Sequence, residues 1–352
     1  MTTDASGNCK SALVTVSAPC RVDLGGTLDI SSLYYPLAHL EPCTFNIALD
    51  LRTRVQVSAY APGRIRVSSR GFETAEFSPD KAPFSHPLGL IFAIAAFFHM
   101  DGIHIDIDSA SPPRSALGGS SVAAVALVAA LSQLQAGTKE TGPDRSATVL
   151  LAHGIEQGLA GVPCGMQDQL AAAYGGVNAW HWTLDKGQPG WRQQVLIPPE
   201  NAGNINANLL VAYCGVPHES KDINGTWIRR FLNGQDRFQW QQITAATQAF
   251  VQAFAHGDMA AAAGWMNRET ELRRRITPHV IDDVGAALID AAAEQNCGAR
   301  FAGAGGGGCL WALGPADAIA LLRPQWETIV SGRPDGAILE ACVAAEGLRV
   351  EF

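Results

Sequence analysis

The sequence has no surplus of positive charge. Against 33 Asp and Glu stand 25 Lys and Arg, a net charge of −8 over 352 residues. That excludes a protein that coats nucleic acid through a general positive field, and no nucleic-acid partner is expected. A phosphorylated ligand would have to be held by local dipoles and a few charges. Long apolar runs are missing too: PLGLIFAIAAFF and VAAVALVAAL fall short of the ~20 residues that span a bilayer. They read as core helices, with no membrane partner. The start MTTDASGNCK lacks the charged lead and apolar block of a secretory signal. The eight cysteines (Cys9, Cys20, Cys43, Cys164, Cys214, Cys297, Cys309 and Cys342) form no C-x-x-C pair, and the nine histidines no H-E-x-x-H. Zinc and iron–sulfur sites are therefore without support, and reduced, mostly buried thiols in a cytoplasmic protein are expected. The pattern G-x-x-x-x-G-K-[ST] is absent, which excludes an ordinary nucleotide P-loop.

What is present is a globular composition, 47% apolar and 16% charged, in a chain long enough for two domains with a sizeable core. SALVTVSAPCRVDLGG alternates as a strand, breaking at Pro19 and at Gly25–Gly26. TRVQVSAYAPGRIRVSS holds two alternating runs around Ala61-Pro62-Gly63, a hairpin signal. GIHIDIDSA puts Ile103, Ile105 and Ile107 on one strand face. Helices are expected over PLGLIFAIAAFFHM, from about Ser121 to Leu134, over RSATVLLAHGIEQGLA up to Gly161, and in CGMQDQLAAAYGG. The polar, Gly/Pro-rich DKGQPGWRQQ marks a boundary zone, giving expected domains of 1–200 and 201–352. The second half restarts with the strand ANLLVAYCG and runs through helical patterns from about 222 to 295. It then has two strands around the glycines of ARFAGAGGGGCLWALG, and ends with a helix and strand.

Four segments could carry chemistry. SPPRSALGGSSVAAVALVAAL sets glycines and two serines where a helix begins. Free backbone N–H groups and the helix dipole make such an N-terminus an anion site that needs no lysine. Taken alone, Ser120 or Ser121 reads first as an N-cap, ahead of a phosphate or metal contact. In CGMQDQLAAAYGG, Asp168 opens a helix, where a carboxylate is either favoured by the dipole or aimed at a substrate hydroxyl. Glu156, on the preceding helix, is by default a solvated glutamate, yet carboxylates with phosphates are how Mg²⁺ is held. Arg21, at a strand end, is either a surface residue or the charged partner of a carboxylate. Gly303, Gly305 and Gly308 satisfy G-x-G-x-x-G, but strand-like CLWAL follows instead of a helix. A dinucleotide fold is rejected and a tight glycine hairpin remains.

In this order the segments resemble the GHMP kinase family, named for galactokinase and the homoserine, mevalonate and phosphomevalonate kinases. APCRVDLGGTLD looks like its first motif, PPRSALGGSS like its phosphate-binding second, and FAGAGGGGC like its glycine-rich third. GVPCGMQDQLAAAYGG and LLVAYCGVPHESKDIN are similar to the sugar-kinase branch, of the galactokinase and D-glycero-D-manno-heptose 7-phosphate kinase kind. The resemblance implies an α+β fold, with an N-terminal domain of the ribosomal protein S5 domain 2 type and a ferredoxin-like C-terminal domain, the site lying between them. It implies Asp168 and Arg21 as catalytic residues. Ala116, Leu117, Gly118, Gly119, Ser120, Ser121, Gly305 and Gly306 would bind ATP. Ser120, Ser121 and Glu156 would hold Mg²⁺, and Asp29, Gly165 and Gln169 would touch the substrate.

The expected activity is transfer of the γ-phosphate of Mg·ATP to a hydroxyl, anomeric by preference, of a monosaccharide or heptose phosphate, in a monomer or homodimer. GGTLDI lacks the Glu-His pair of galactokinases, which argues against D-galactose, and Ala116 stands where glycine is frequent. The rivals are a sugar- and ATP-binding sensor on the same fold and a mevalonate-type kinase.

Overall fold

The structure, a computed structural model, describes residues 12–137, 142–161, 163–183, 190–217 and 223–351. The chain start with Cys9, residues 184–189 of the expected boundary zone, and 218–222 of the segment after ANLLVAYCG lie outside them. The first half runs β1 (Ala12–Leu24), α1 (Ser31–Tyr34), β2 (Cys43–Ala59), β3 (Ile65–Ser69), β4 (Ala75–Phe77), α2 (Gly89–Phe97), β5 (Ile103–Ser109), α3 (Gly119–Ala136), α4 (Arg145–Ala160), α5 (Gln167–Tyr174), β6 (Val177–Trp182) and β7 (Trp191–Ile197). The second runs β8 (Leu209–Cys214), α6 (Ile223–Leu232), α7 (Arg237–Ala255), α8 (Met259–Ile276), α9 (Asp283–Glu294), β9 (Gly298–Phe301), β10 (Cys309–Leu313), α10 (Ala316–Val330), β11 (Gly336–Leu339) and β12 (Arg349–Glu351).

The larger sheet has the order β12-β1-β2-β5-β3-β4, with β6 on β2 and β7 on β6; the smaller is β11-β8-β10-β9. β1 does not stop at Pro19. Proline offers no ladder N–H, and there the register against β2 slips, from Pro19↔Arg52 to Cys20↔Leu49. The strand continues to Leu24 and so carries Arg21 and Asp23, two residues apart, on one face.

The expected hairpin of β2 and β3 is corrected in its pairing. Its turn forms at Ala61–Gly63, with Arg64 N donating to Ala61 O at 3.2 Å, but β5 lies between the two runs. β5 pairs antiparallel with β2 (Ile105↔Val57) and parallel with β3 (Ile105↔Val67). A β-branched strand buried at Ile103, Ile105 and Ile107 can use both edges, and turn residues fix a turn without fixing the partner.

α3 lies across β1 and β2 and against α4 and α5. Its run from Ser121 to Leu131 is buried all round, as its apolar composition requires. Phe45 of β2 meets Phe250 and Phe254 of α7 at 4.8 and 4.9 Å between ring centroids and Trp311 of β10 at 6.2 Å. This cluster joins the two halves behind the loops that form the site. The chain end returns to the larger sheet, where Val350 pairs with Val16.

Candidate active site

α3 begins without a side-chain cap. Gly118, at φ +82°, occupies the cap position, so neither serine closes the helix and the capping alternative is set aside. Ser121 Oγ instead donates to Glu156 Oε2 at 2.8 Å, and Ser120 also reaches that carboxylate. The first-turn N–H groups of a long buried helix therefore open toward the cavity. The loop before the helix is unusual: Arg114 and Ala116 are left-handed at φ +54° and +62°, a region that costs an L-residue roughly 1–2 kcal/mol. What holds it there comes from both sides. Arg21 Nη1 donates to Ala116 O at 2.8 Å, and Arg21 N to Leu117 O at 3.2 Å. From the other side Cys309 N donates to Ser115 O at 2.8 Å. Gly308, at φ +86°, has its Cα so near that a Cβ would lie 2.6 Å from Ser115 O. The glycine hairpin of β9 and β10 thus braces the loop by close backbone approach.

Asp168, in the first turn of α5, faces Arg21 rather than capping its helix. Arg21 Nε and Nη2 both lie 2.7 Å from Asp168 Oδ1. Arg21 is 3% exposed. Burial by itself would lower its pKa, but Asp168 and Asp23 outweigh that and raise it. Asp23, 3.4 Å from Arg21 Nη1, also accepts from Gly303 N at 2.7 Å and from Arg300 Nη1 at 3.1 Å. The Asp168 carboxylate is 22% exposed, the open end of this buried chain of charges.

Two further carboxyls share the site. Glu156 accepts from Gln169 Nε2 at 2.6 Å as well as from Ser121. Burial raises its pKa to about 7, with Asp168 adding to the shift. Asp29 is 4% exposed and accepts from Gln167 N at 3.0 Å. Burial pushes its carboxyl to about 7, against the pull of the Gln167 N–H. The Gly165 Cα lies so close to the Asp29 carboxyl that no side chain fits at that position.

Arg21, Asp168, Glu156, Asp29 and the start of α3 border one cavity of about 870 Å³. At one end are Thr27, Asp29, Cys164, Gly165, Gln167 and Asn224. Arg21, Asp168, Glu156 and Gly118 to Ser121 hold the middle. Phe72, Leu88, Ile91 and Pro113 form an apolar slot at the other end, beside Arg70 and Ser109. Of the residues expected from sequence, Ala116, Gly118, Gly119, Ser120, Ser121, Glu156, Asp168, Arg21, Asp29 and Gly165 line this cavity. Leu117 is buried behind the loop, and Gln169 sits behind Glu156. Gly305 and Gly306 pack on Val280 away from the cavity; Gly303 and Ala304 of the same run line it instead.

Sequence reading passed over Asp23, Thr27, Gln167, Asn224 and Arg300. Asp23 was within reach, being two residues from Arg21 on a strand. Thr27 and Asn224, 197 positions apart, carry no local signal. The donors Ser120, Ser121 and Glu156 are hard oxygens on two helices facing one space. That is the set Mg²⁺ takes when phosphates and water complete its shell; among the described residues no cluster of three His, Cys, Asp or Glu could hold a metal alone.

The arrangement provides an uncapped helix start facing the cavity, a partly exposed carboxylate fixed by a guanidinium, and an apolar slot at one side. Residues 88–176 match the GHMP kinases N terminal domain. The mevalonate kinase of Thermococcus sibiricus is 23% identical over 367 residues, covering 96% of this chain and 98% of that protein. A D-glycero-D-manno-heptose 1-phosphate kinase from Bacteriodes thetaiotaomicron superposes with TM-score 0.69 at 15% identity, over 97% of this chain and 99% of that one. A Streptococcus pneumoniae phosphomevalonate kinase bound to phosphomevalonate and AMPPNP gives 0.70 at 13%, over 94% and 100%. The fold is that of the GHMP kinases.

Proposed function

We propose, from the premise that this chain is a small-molecule phosphotransferase carrying the GHMP kinases N terminal domain, that it phosphorylates a sugar hydroxyl with ATP. The observation that carries this reading is Asp168, held by Arg21 at 2.7 Å and facing the same space as the uncapped start of α3. The division at residue 200 belongs to the reading, with the phosphate loop in 1–200 and Asn224 and the glycine hairpin supplied by 201–352.

The triphosphate lies on the backbone of Gly118 to Ser121, where the helix dipole replaces a P-loop lysine. The apolar slot takes the base. Ser120, Ser121 and Glu156 would hold Mg²⁺, which when bound offsets charge on the phosphates. The acceptor sits between Asp29, Asn224 and Asp168. Its hydroxyl oxygen forms the new bond to the γ-phosphorus as the bridging P–O bond to ADP breaks, and its proton passes to Asp168. Arg21 fixes the carboxylate within reach, the positioning on which this transfer chiefly depends.

The name of the sequence relatives favours a second reading, phosphorylation of mevalonate. Two features weigh for a polyol. Buried Asp29 suits hydroxyl donors and opposes a carboxylate substrate. Among the described residues lining that end of the cavity none is a cation, and Arg21, in the middle, is already shared by Asp168 and Asp23. A coupled ADP-release assay with Mg·ATP tests this against hexoses, 6-deoxyhexoses, heptose phosphates and mevalonate. Turnover of a sugar is expected. Turnover of mevalonate alone would move the assignment to the second reading, and ATP binding without ADP release would leave a sensor.

A further inference from the structure

The loop carrying Asp29 is strained. Thr27, a β-branched residue, is held at φ +74°, a conformation that persists only where the surroundings impose it. Those surroundings come from α6 and α8, in the other half of the chain. Arg273 Nη2 donates to Gly26 O at 2.6 Å and Arg273 Nη1 to Thr27 Oγ1 at 3.3 Å. Thr27 Oγ1 in turn donates to Asn224 Oδ1 at 3.2 Å. Arg273 is fully buried. Its guanidinium lies 4.8 and 4.7 Å from the ring centroids of Trp227 and Trp240, an aromatic clamp for a planar cation. Glu269 bridges it to the site, accepting from Arg273 Nε at 2.8 Å and Arg300 Nε at 2.9 Å. Arg300 reaches Asp23, Asp23 reaches Arg21, and Arg21 holds Asp168. Six side chains of alternating charge thus connect Asp168 to Thr27, three acids against three bases. Such a ladder goes beyond what stability asks, since buried ion pairs are often replaceable by apolar packing.

We propose that Arg273, which does not line the cavity, is a positioning residue for the acceptor: it holds the strained Gly25–Asp29 loop so that Asp29 and Asp168 face the same substrate at a fixed separation. The inference builds on the kinase reading for its functional meaning, while its structural claim can be measured without any acceptor.

The test uses the full chain with Arg273→Lys, which keeps the charge and loses the fork, and Thr27→Gly. Glycine accepts the left-handed conformation without strain but drops the side-chain tie, so it guards against a lysine variant that fails to fold. Thr27→Ser, which restores the hydroxyl, is the rescue. Hydrogen–deuterium exchange of residues 25–30 should rise about tenfold or more in the first two variants and return toward wild type in the serine variant, with residues 115–121 unaffected. With the sugar of highest kcat/KM in the panel, KM for the sugar should rise on the order of tenfold, while KM for ATP holds, because small displacements of reacting groups carry penalties of this size. Wild-type exchange at 25–30 in both Arg273→Lys and Thr27→Gly would overturn the proposal, and so would equal rises in both KM values. Absence of turnover with every acceptor would refute the kinase reading instead, and exchange at 25–30 would still decide this one.

Discussion

Burial holds the Asp29 carboxyl near 7, against a usual value of 3.8. The folded protein therefore binds this proton more tightly than the unfolded chain. Stability from this group is greatest below about pH 4, falls as pH rises through the interval to about 7, and stays reduced above it. Asp29→Asn removes the titration and still accepts from the Gln167 N–H. Its melting temperature should exceed that of the wild type at pH 8, with the gain vanishing toward pH 4, while acceptor turnover drops. Calorimetry at several pH values checks this; a gain that does not depend on pH would contradict the assignment of burial as the cause. At Asp168 the expectation is kinetic. Asp168→Asn should lower kcat on the order of 10²-fold or more, the usual weight of a positioned acid–base group. Near-normal turnover from a folded variant would remove Asp168 from the mechanism.

At the scale of elements, the junction of α3 with the glycine hairpin decides the geometry of the loop proposed to hold the phosphates. Gly308 is the sharpest point in it, since Cβ would meet Ser115 O at 2.6 Å and Ala116 Cβ at 2.9 Å in a left-handed backbone. Gly308→Ala should push the loop at 115–119 outward and cost about 1–3 kcal/mol, the range for a strained non-glycine position. KM for ATP should rise more than KM for the acceptor. Steady-state kinetics with either substrate varied, alongside urea unfolding, would detect it; unchanged values for both would mean that the hairpin does not brace the loop. The elements themselves were legible beforehand. α3, α4 and α5 follow from apolar runs ended by glycine, and β9 and β10 from the runs around 303–308. Pairing was not legible: β5 entered between β2 and β3, and Pro19 made a bulge where a break was expected.

At the scale of the molecule, the buried ladder ties α8 and β9 to β1 and α5. Glu269 is its pivot, and its ionised form is retained. Burial would raise its pKa, but Arg300 and Arg273 overcome this and lower it. Glu269→Gln leaves two buried guanidiniums without their shared counter-charge, and should cost roughly 3–5 kcal/mol. Because the ladder is shielded from solvent, that loss should change little between low and high salt, unlike a surface pair. Urea unfolding at two ionic strengths checks both, and a cost below 1 kcal/mol or one abolished by salt would show that the ladder is not the tie between the halves.

The sequence by itself determined most of the cavity wall. The serines at 120 and 121, Asp168 and Glu156 sit in local patterns of glycine turns and helix starts, and such patterns depend only on backbone chemistry nearby. The tertiary structure decided what those residues do. It made Gly118 the cap and freed the serines for Glu156, and it moved the cavity-facing role from Gly305 and Gly306 to Gly303 and Ala304. It also buried Glu269 and Arg273, an i,i+4 ion pair on α8, behind the site. A charge is buried only when a partner from elsewhere in the chain compensates it. Asp23 and Arg300, 277 positions apart, are one such pairing, chosen by packing and leaving no local trace.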